Sequence, residues 1–132
     1  MDKRDGLIER RKYIRLSVPI GISYTRPGDD RVHRSVSKDI SPEGVRFETG
    51  LASMRKSDPI ILTLEIPGSR NPVHASGKVA WKKRLSLEDN SPFDLGVEFE
   101  EIEEDNKSTF LKFLCDVIYN MAKEKADGPK KR

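Results

Sequence analysis

Leu16-Ser17-Val18-Pro19-Ile20-Gly21-Ile22-Ser23-Tyr24 places an apolar side chain at every second position, with serine, proline or glycine between. A period of two turns one face of a strand to a core and the other to solvent, whereas a helix would scatter these residues around its axis. The stretch therefore predicts a half-buried strand. Pro19 has no amide hydrogen, so it requires an edge, a bulge or an outward-facing amide at that point.

The same alternation returns along the chain. After the turn Arg26-Pro27-Gly28-Asp29-Asp30, Val32, Arg34 and Val36 predict a second strand whose inward face carries one polar residue. Ser37 to Gly44 reads as a turn, followed by a third strand with Val45 and Phe47 inward and Arg46 and Glu48 outward. Ile60, Leu62, Leu64 and Ile66 make a fourth, ending at Pro67-Gly68-Ser69. Val73, Ala75, Gly77, Val79 and Trp81 make a fifth, and Phe93, Leu95, Val97 and Phe99 a sixth beyond the polar loop 86–92. Six short strands with turn signals between them predict an all-β, six-stranded antiparallel sheet, and closing it into a barrel removes the exposed edges. Gly77 and Gly96 lie inside strands, where a missing side chain allows sharp curvature or close approach of another backbone.

Near Asp105 the period changes. Phe110, Phe113, Leu114, Val117, Ile118 and Met121, with Leu111 beside them, fall on one side of a C-terminal α-helix, and Lys112, Asp116, Asn120 and Lys123 on the other. Asp105 suits the N-cap, and Gly128-Pro129 is a stop. The apolar side either covers the barrel or forms a dimer seam, so monomer and homodimer both stay open; a barrel this small gains most from the cover.

The chain of 132 residues is the size of one domain, 35% apolar and 36% charged. It divides into an N-terminal tail at 1–8, expected to be flexible, one domain at 9–122 and a basic tail at 123–132. No run of eighteen apolar residues is present and the N-terminus is charged throughout, so neither membrane insertion nor a secretory signal is readable, and the expected location is cytoplasmic. The net charge of +3 is uneven: residues 1–16 and 123–132 each carry +3, leaving −3 for the segment between. Basicity confined to the ends argues against a nucleic-acid-binding face.

Groups for catalysis are missing at usable spacing. His33 stands beside a loop and His74 on the outward phase of a strand, both read as solvated, and Cys115 reads as a core or partly buried helix residue. No metal-ligand spacing, phosphate loop or serine elbow is present, so the chain is read as a non-enzyme without cofactor or metal. The N-terminal segment is richer. Arg10, Arg11 and Arg15 precede the first strand, and three guanidiniums there can converge on phosphate oxygens or on the O6 and N7 edge of guanine, or stack on a base. Alone they also fit a solubilising lead-in. Asp39-Ile40-Ser41-Pro42-Glu43-Gly44 pairs turn-forming residues with groups that can accept from a guanine edge or donate to a phosphate, Gly44 allowing a backbone conformation other residues avoid. Alone it also fits a plain connection.

Together these two pieces resemble the PilZ domain family. Arg11-x-x-x-Arg15 matches its arginine motif and Asp39-x-Ser41-x-x-Gly44 its turn motif, with support from Gly77, Trp81 and Phe93-x-x-Gly96-x-x-Phe99. The likeness covers about residues 9 to 100. It implies a PilZ-like barrel that binds the bacterial messenger cyclic di-GMP on its outer surface, Arg11 and Arg15 gripping guanine and phosphate, Asp39 and Ser41 contacting a guanine or steadying the arginines, and Gly44 shaping the turn. Arg10, just ahead of the motif, is similar to the extra arginine of members that hold two stacked messenger molecules. Ligand binding would then order the N-terminal segment and signal to a downstream protein, which the sequence does not identify. Trp81 shares the inward phase of Val73, Ala75 and Val79 and is expected in the core or at its rim. The alternatives are a protein-interaction module of the same fold without messenger binding, and a single-stranded nucleic-acid binder.

Overall fold

The predicted alternation becomes the inner wall of a closed barrel in the computed structural model, which describes residues 15–127. Its strands are β1 (Gly21–Thr25), β2 (His33–Ser41), β3 (Gly44–Thr49), β4 (Pro59–Glu65), β5 (Val73–Arg84) and β6 (Phe93–Ile102), followed by helix α1 (Glu104–Asp127). Around the barrel they run β1-β2-β3-β6-β5-β4, every neighbour antiparallel. Ile22 and Tyr24, Val45 and Phe47, Ile60, Leu62 and Leu64, Val73 and Val79, Leu95 and Val97 fill the interior. Each such side chain contributes about 1.5–3 kcal/mol by leaving water, which is what a barrel of this size has to set against chain entropy. Tyr24 reaches one end, where its hydroxyl donates to Thr49 Oγ1 at 2.7 Å; burial pushes its phenol pKa up and that hydrogen bond opposes the shift.

Strand phase departs from expectation in two places, each at a bulge. Regular pairing in the first strand begins at Gly21, not Leu16; Leu16 instead makes an isolated bridge to Ile40, with two backbone hydrogen bonds of 2.8 and 2.9 Å. In β2 the inward residues are His33, Ser35 and Ser37, and the valines face out, Val32 63% and Val36 55% exposed. The register shifts between Ser37 and Asp39, so Lys38 is an extra residue. Counting back by twos from the buried Ile40 would drive Lys38 inside; the bulge prevents that, and every residue before it changes face. Ser37 is buried because its hydroxyl accepts from the Ile20 amide at 2.9 Å and donates to the Val18 carbonyl at 2.6 Å. His33 is half-buried with its ring 5.4 Å from that of Tyr24, not solvated.

The second departure is in β5. Between Val79 and Trp81 the register against β6 shifts again, Ala80 is the extra residue, and Trp81 pairs with Gly96 on the outer face. Trp81 is therefore not a core residue.

Helix α1 begins at Glu104, so Asp105 falls within the first turn rather than ahead of it, and it ends in front of Gly128-Pro129. Asn106 Oδ1 accepts from the His74 amide at 3.0 Å and ties the helix start to β5. Phe110 and Leu114 are buried on the barrel, Phe110 meeting Phe99 edge to face at 5.7 Å, and Phe113 and Val117 are partly buried there. The cover stops at Val117. Leu111, Ile118 and Met121 are exposed, and so is Cys115, contrary to its reading as a core or partly buried residue.

Candidate functional site

The bulges at Lys38 and Ala80 open onto one place. Asp39, re-aimed by the first, pairs with Arg46 of β3; Arg46 pairs with Gly96 of β6; Gly96 pairs with Trp81, re-aimed by the second. Partners across a ladder share a face, so Asp39, Arg46, Gly96 and Trp81 form a row over the outside of four strands. Gly96 makes the row continuous. The Trp81 indole lies over it, and a Cβ at that position would overlap the ring.

Around the row is an open cleft of about 220 Å³, lined by Arg15, Ser41, Glu43 and Gly44 as well as by Asp39, Arg46, Trp81 and Gly96. Arg15 reaches it because the Leu16–Ile40 bridge fastens the chain next to Asp39. Ser41 and Gly44 pair across a two-residue turn at Pro42-Glu43, so Asp39 to Ser41 lie on a strand, not in the longer turn expected over 37–44. The Ser41 hydroxyl accepts from the Glu43 amide at 3.1 Å and the Glu43 carbonyl accepts from the Phe99 amide at 2.8 Å, which holds the turn against β6. Gly44 is required for a different reason than a special dihedral. Among the described glycines only Gly28 and Gly68 have positive φ; at Gly44 a Cβ would overlap the Val97 carbonyl oxygen of the adjoining strand.

Polar contacts fix the row. Arg46 Nε donates to Asp39 Oδ2 at 2.9 Å and Arg46 Nη1 meets Asp94 Oδ2 at 3.3 Å. Lys38 Nζ, carried outward by the bulge, donates to Asp94 Oδ1 at 2.6 Å and pairs with Glu48 at 3.0 Å. Asp94 is buried and has a cation on each of its two oxygens, the pairing that offsets the cost of taking a carboxylate out of water. The hydrogen bond to Asp94, partly offset by desolvation and helped by Glu48, raises the Lys38 pKa. Arg46 is thus held between two carboxylates with its guanidinium at the cleft.

Of the predicted site residues, Arg15, Asp39, Ser41 and Gly44 share this cleft, while Arg10 and Arg11 lie outside the described residues, as does the tail at 1–8. Arg46, Lys38 and Asp94 were not singled out by the sequence reading; a cation on the outward phase of β3, one strand over from Asp39, was the available signal for Arg46. The basic run after Trp81 serves elsewhere: Lys82 lies over the Phe93 ring at 4.2 Å and donates to the Ala52 and Met54 carbonyls, and Arg84 donates to those of Ser86 and Glu88. No helix among the described residues is long and apolar enough to cross a membrane.

Comparison with known proteins bears on this arrangement. The sequence matches the PilZ domain over residues 9–115. No curated protein matches it significantly in sequence. Among solved structures, the PilZ domain with c-di-GMP of YcgR from Escherichia coli superposes with a TM-score of 0.63 at 19% identity, over 89% of this chain and 98% of that one. The Bacillus subtilis inhibitor of motility MotI/DgrA gives 0.68 at 15% identity, over 87% of this chain and 53% of its own. The K. pneumonia MrkH–c-di-GMP complex gives 0.68 at 17%, over 87% and 55%. The chain thus spans about half the length of MotI and of MrkH.

Proposed function

The chain belongs to the PilZ domain family, non-catalytic receptor and adaptor modules for cyclic di-GMP, and from that premise we propose that it is a cytoplasmic cyclic di-GMP receptor whose ligand sits across the row from Asp39 to Trp81. The observation that carries the reading is the Leu16–Ile40 bridge, which seats Arg15 beside Asp39 and Ser41. Solved structures of two of the similar proteins, YcgR and MrkH, contain c-di-GMP, which favours the same ligand here.

The lining suggests how the work is divided. Arg15 and Arg46 face Asp39, Glu43 and Glu98, two guanidiniums against three carboxylates, so this wall is no phosphate trap by charge. It is suited to a base: Asp39 accepts from the N1–H and N2–H edge of guanine, Arg15 donates to O6 and N7, Ser41 completes the polar edge, and Trp81 offers a face for stacking. At about 220 Å³ the cleft is also smaller than the ~300–1,000 Å³ of sites that enclose a ligand. Arg10 and Arg11 are assigned the missing part, the phosphates and the outer wall, with Arg11 and Arg15 as the principal grip. Arg10 supports a second, stacked messenger molecule. Binding would order the segment before Arg15, and that new surface is the output read by a downstream protein.

Calorimetric titration with cyclic di-GMP, cyclic di-AMP and a short RNA tests this. Selective binding of cyclic di-GMP is expected, with a loss of at least ~100-fold, about 3 kcal/mol, for Arg11→Ala or Arg15→Ala. Arg10→Ala should halve the stoichiometry at an otherwise similar affinity. Unchanged binding by the Arg11 and Arg15 variants would sink the site assignment, and preference for RNA would sink the ligand.

A further inference from the structure

Helix α1 has a second apolar stripe that the barrel does not use. Phe110, Phe113, Leu114 and Val117 face the barrel; about a third of a turn round, Leu111, Cys115, Ile118 and Ala122 run down the helix at spacings of four, three and four. All four are exposed, Leu111 by 46% and Ile118 by 42%. Beyond Val117 the described helix residues have no buried side chain, and an isolated stretch that short is a marginal helix in water. Spacing of four and three is the seam of a helix pair.

We propose that this stripe is the seam of a two-fold dimer in which α1 packs antiparallel against α1 of a second copy, centred between Asp116 and Val117. The occupant is identified by self-complementarity. In an antiparallel alignment about that centre, Leu111 faces the partner's Ala122 and Cys115 faces the partner's Ile118, so each of four layers sets a large side chain against a small one. Such size matching is what a close-packed seam needs. A parallel pair would oppose Leu111 to itself and Ala122 to itself, with crowding at one layer and a gap at another. Opposed helix dipoles favour the antiparallel sense.

The seam spans eleven residue steps, about 16 Å of helix, which buries less than the ~1,200–2,000 Å² of stable interfaces. The dimer is therefore weak and depends on concentration, and the cleft on the barrel is no part of it. Sedimentation of the full chain between ~1 and ~100 μM should show a monomer giving way to a dimer. Ile118→Lys should abolish that shift with the thermal midpoint of the barrel kept, because Ile118 is exposed and is not among the buried core residues. Orientation is tested by oxidative cross-linking. On a Cys115→Ser background, Leu111→Cys with Ala122→Cys should give a covalent dimer, and each single cysteine variant should not; the two positions are too far apart for an internal bridge. A monomer at every concentration, an unaltered dimer in Ile118→Lys, or cross-linking by Leu111→Cys alone would each overturn the proposal.

Discussion

The two sides of this barrel are built to different rules. Where β4 lies between β1 and β5, the ladders run without a register shift, and Ile60, Leu62 and Leu64 enter the core in strict alternation. Where β2, β3, β6 and β5 lie side by side, the register slips at Lys38 and at Ala80, and a buried carboxylate, two of its cations and a tryptophan face outward. The regular side holds the fold. The irregular side spends pairing to aim side chains, which is the use bulges have beside binding sites.

If that division is right, damage to the two sides should be separable. The largest effect is expected on the regular side: Leu64→Ala, at a fully buried position between β1 and β5, should lower unfolding free energy by about 2–5 kcal/mol in denaturant titration. Affinity for cyclic di-GMP measured below the transition should not move, and a parallel fall would break the comparison.

Ser37→Ala probes the boundary between the two. It strips the partners of the Ile20 amide and Val18 carbonyl in a buried setting, at a cost of about 1–3 kcal/mol by the same titration. Because these bonds hold the chain that follows Leu16, a stability loss without any loss of ligand affinity would show that the approach to Arg15 is fixed by the Leu16–Ile40 bridge alone.

Gly96→Val sharpens the comparison from the irregular side. The new side chain displaces the Trp81 ring but suits a strand, so stability should hold while ligand affinity falls ~5- to 100-fold, the equivalent of about 1–3 kcal/mol of base stacking. A red shift of the single tryptophan's emission would report the displacement. Full affinity with a displaced ring would remove Trp81 from the site.

The smallest effect is a pH dependence. The Lys38 pKa is raised in the folded state, so its pairing with Asp94 and Glu48 stabilises from neutral pH up to the ordinary lysine range and is lost as pH rises through the raised value. The stability difference between the native chain and Lys38→Met should be flat from neutral to about pH 10 and shrink above it. Lys38 is one-third exposed, so the difference is expected within the ~0–1 kcal/mol of a solvated ion pair. A difference growing with pH would contradict the pairing.

Much of this was legible in the sequence, unevenly so. Alternation in β4, β3 and the first part of β5 predicts their inward faces, and the arginine and Asp-x-Ser-x-x-Gly patterns mark residues that the fold brings to one cleft, Arg15 with Asp39, Ser41 and Gly44. The misreadings are local. Val32 and Val36 look like core by type and period and are outside; Trp81 continues the phase of Val79 and is outside as well. Both follow from one inserted residue. A bulge leaves composition and propensity untouched, and its position is set by which side chain cannot be buried across the ladder, Lys38 in one case, and by what the neighbouring strand offers, the bare backbone of Gly96 in the other. The helix shows the same limit, since period alone grouped Ile118 and Met121 with Phe110 while the barrel ends at Val117.

By itself the sequence determined the antiparallel six-strand architecture, the terminal helix and the residue types that can recognise a guanine dinucleotide, because periodicity and side-chain chemistry are properties of the chain. Tertiary structure alone decided that Asp39, Arg46, Gly96 and Trp81 lie in one row and that Asp94 anchors it. The reason is physical: register is set between strands, by what each position must bury against its neighbour, and no single strand carries that information.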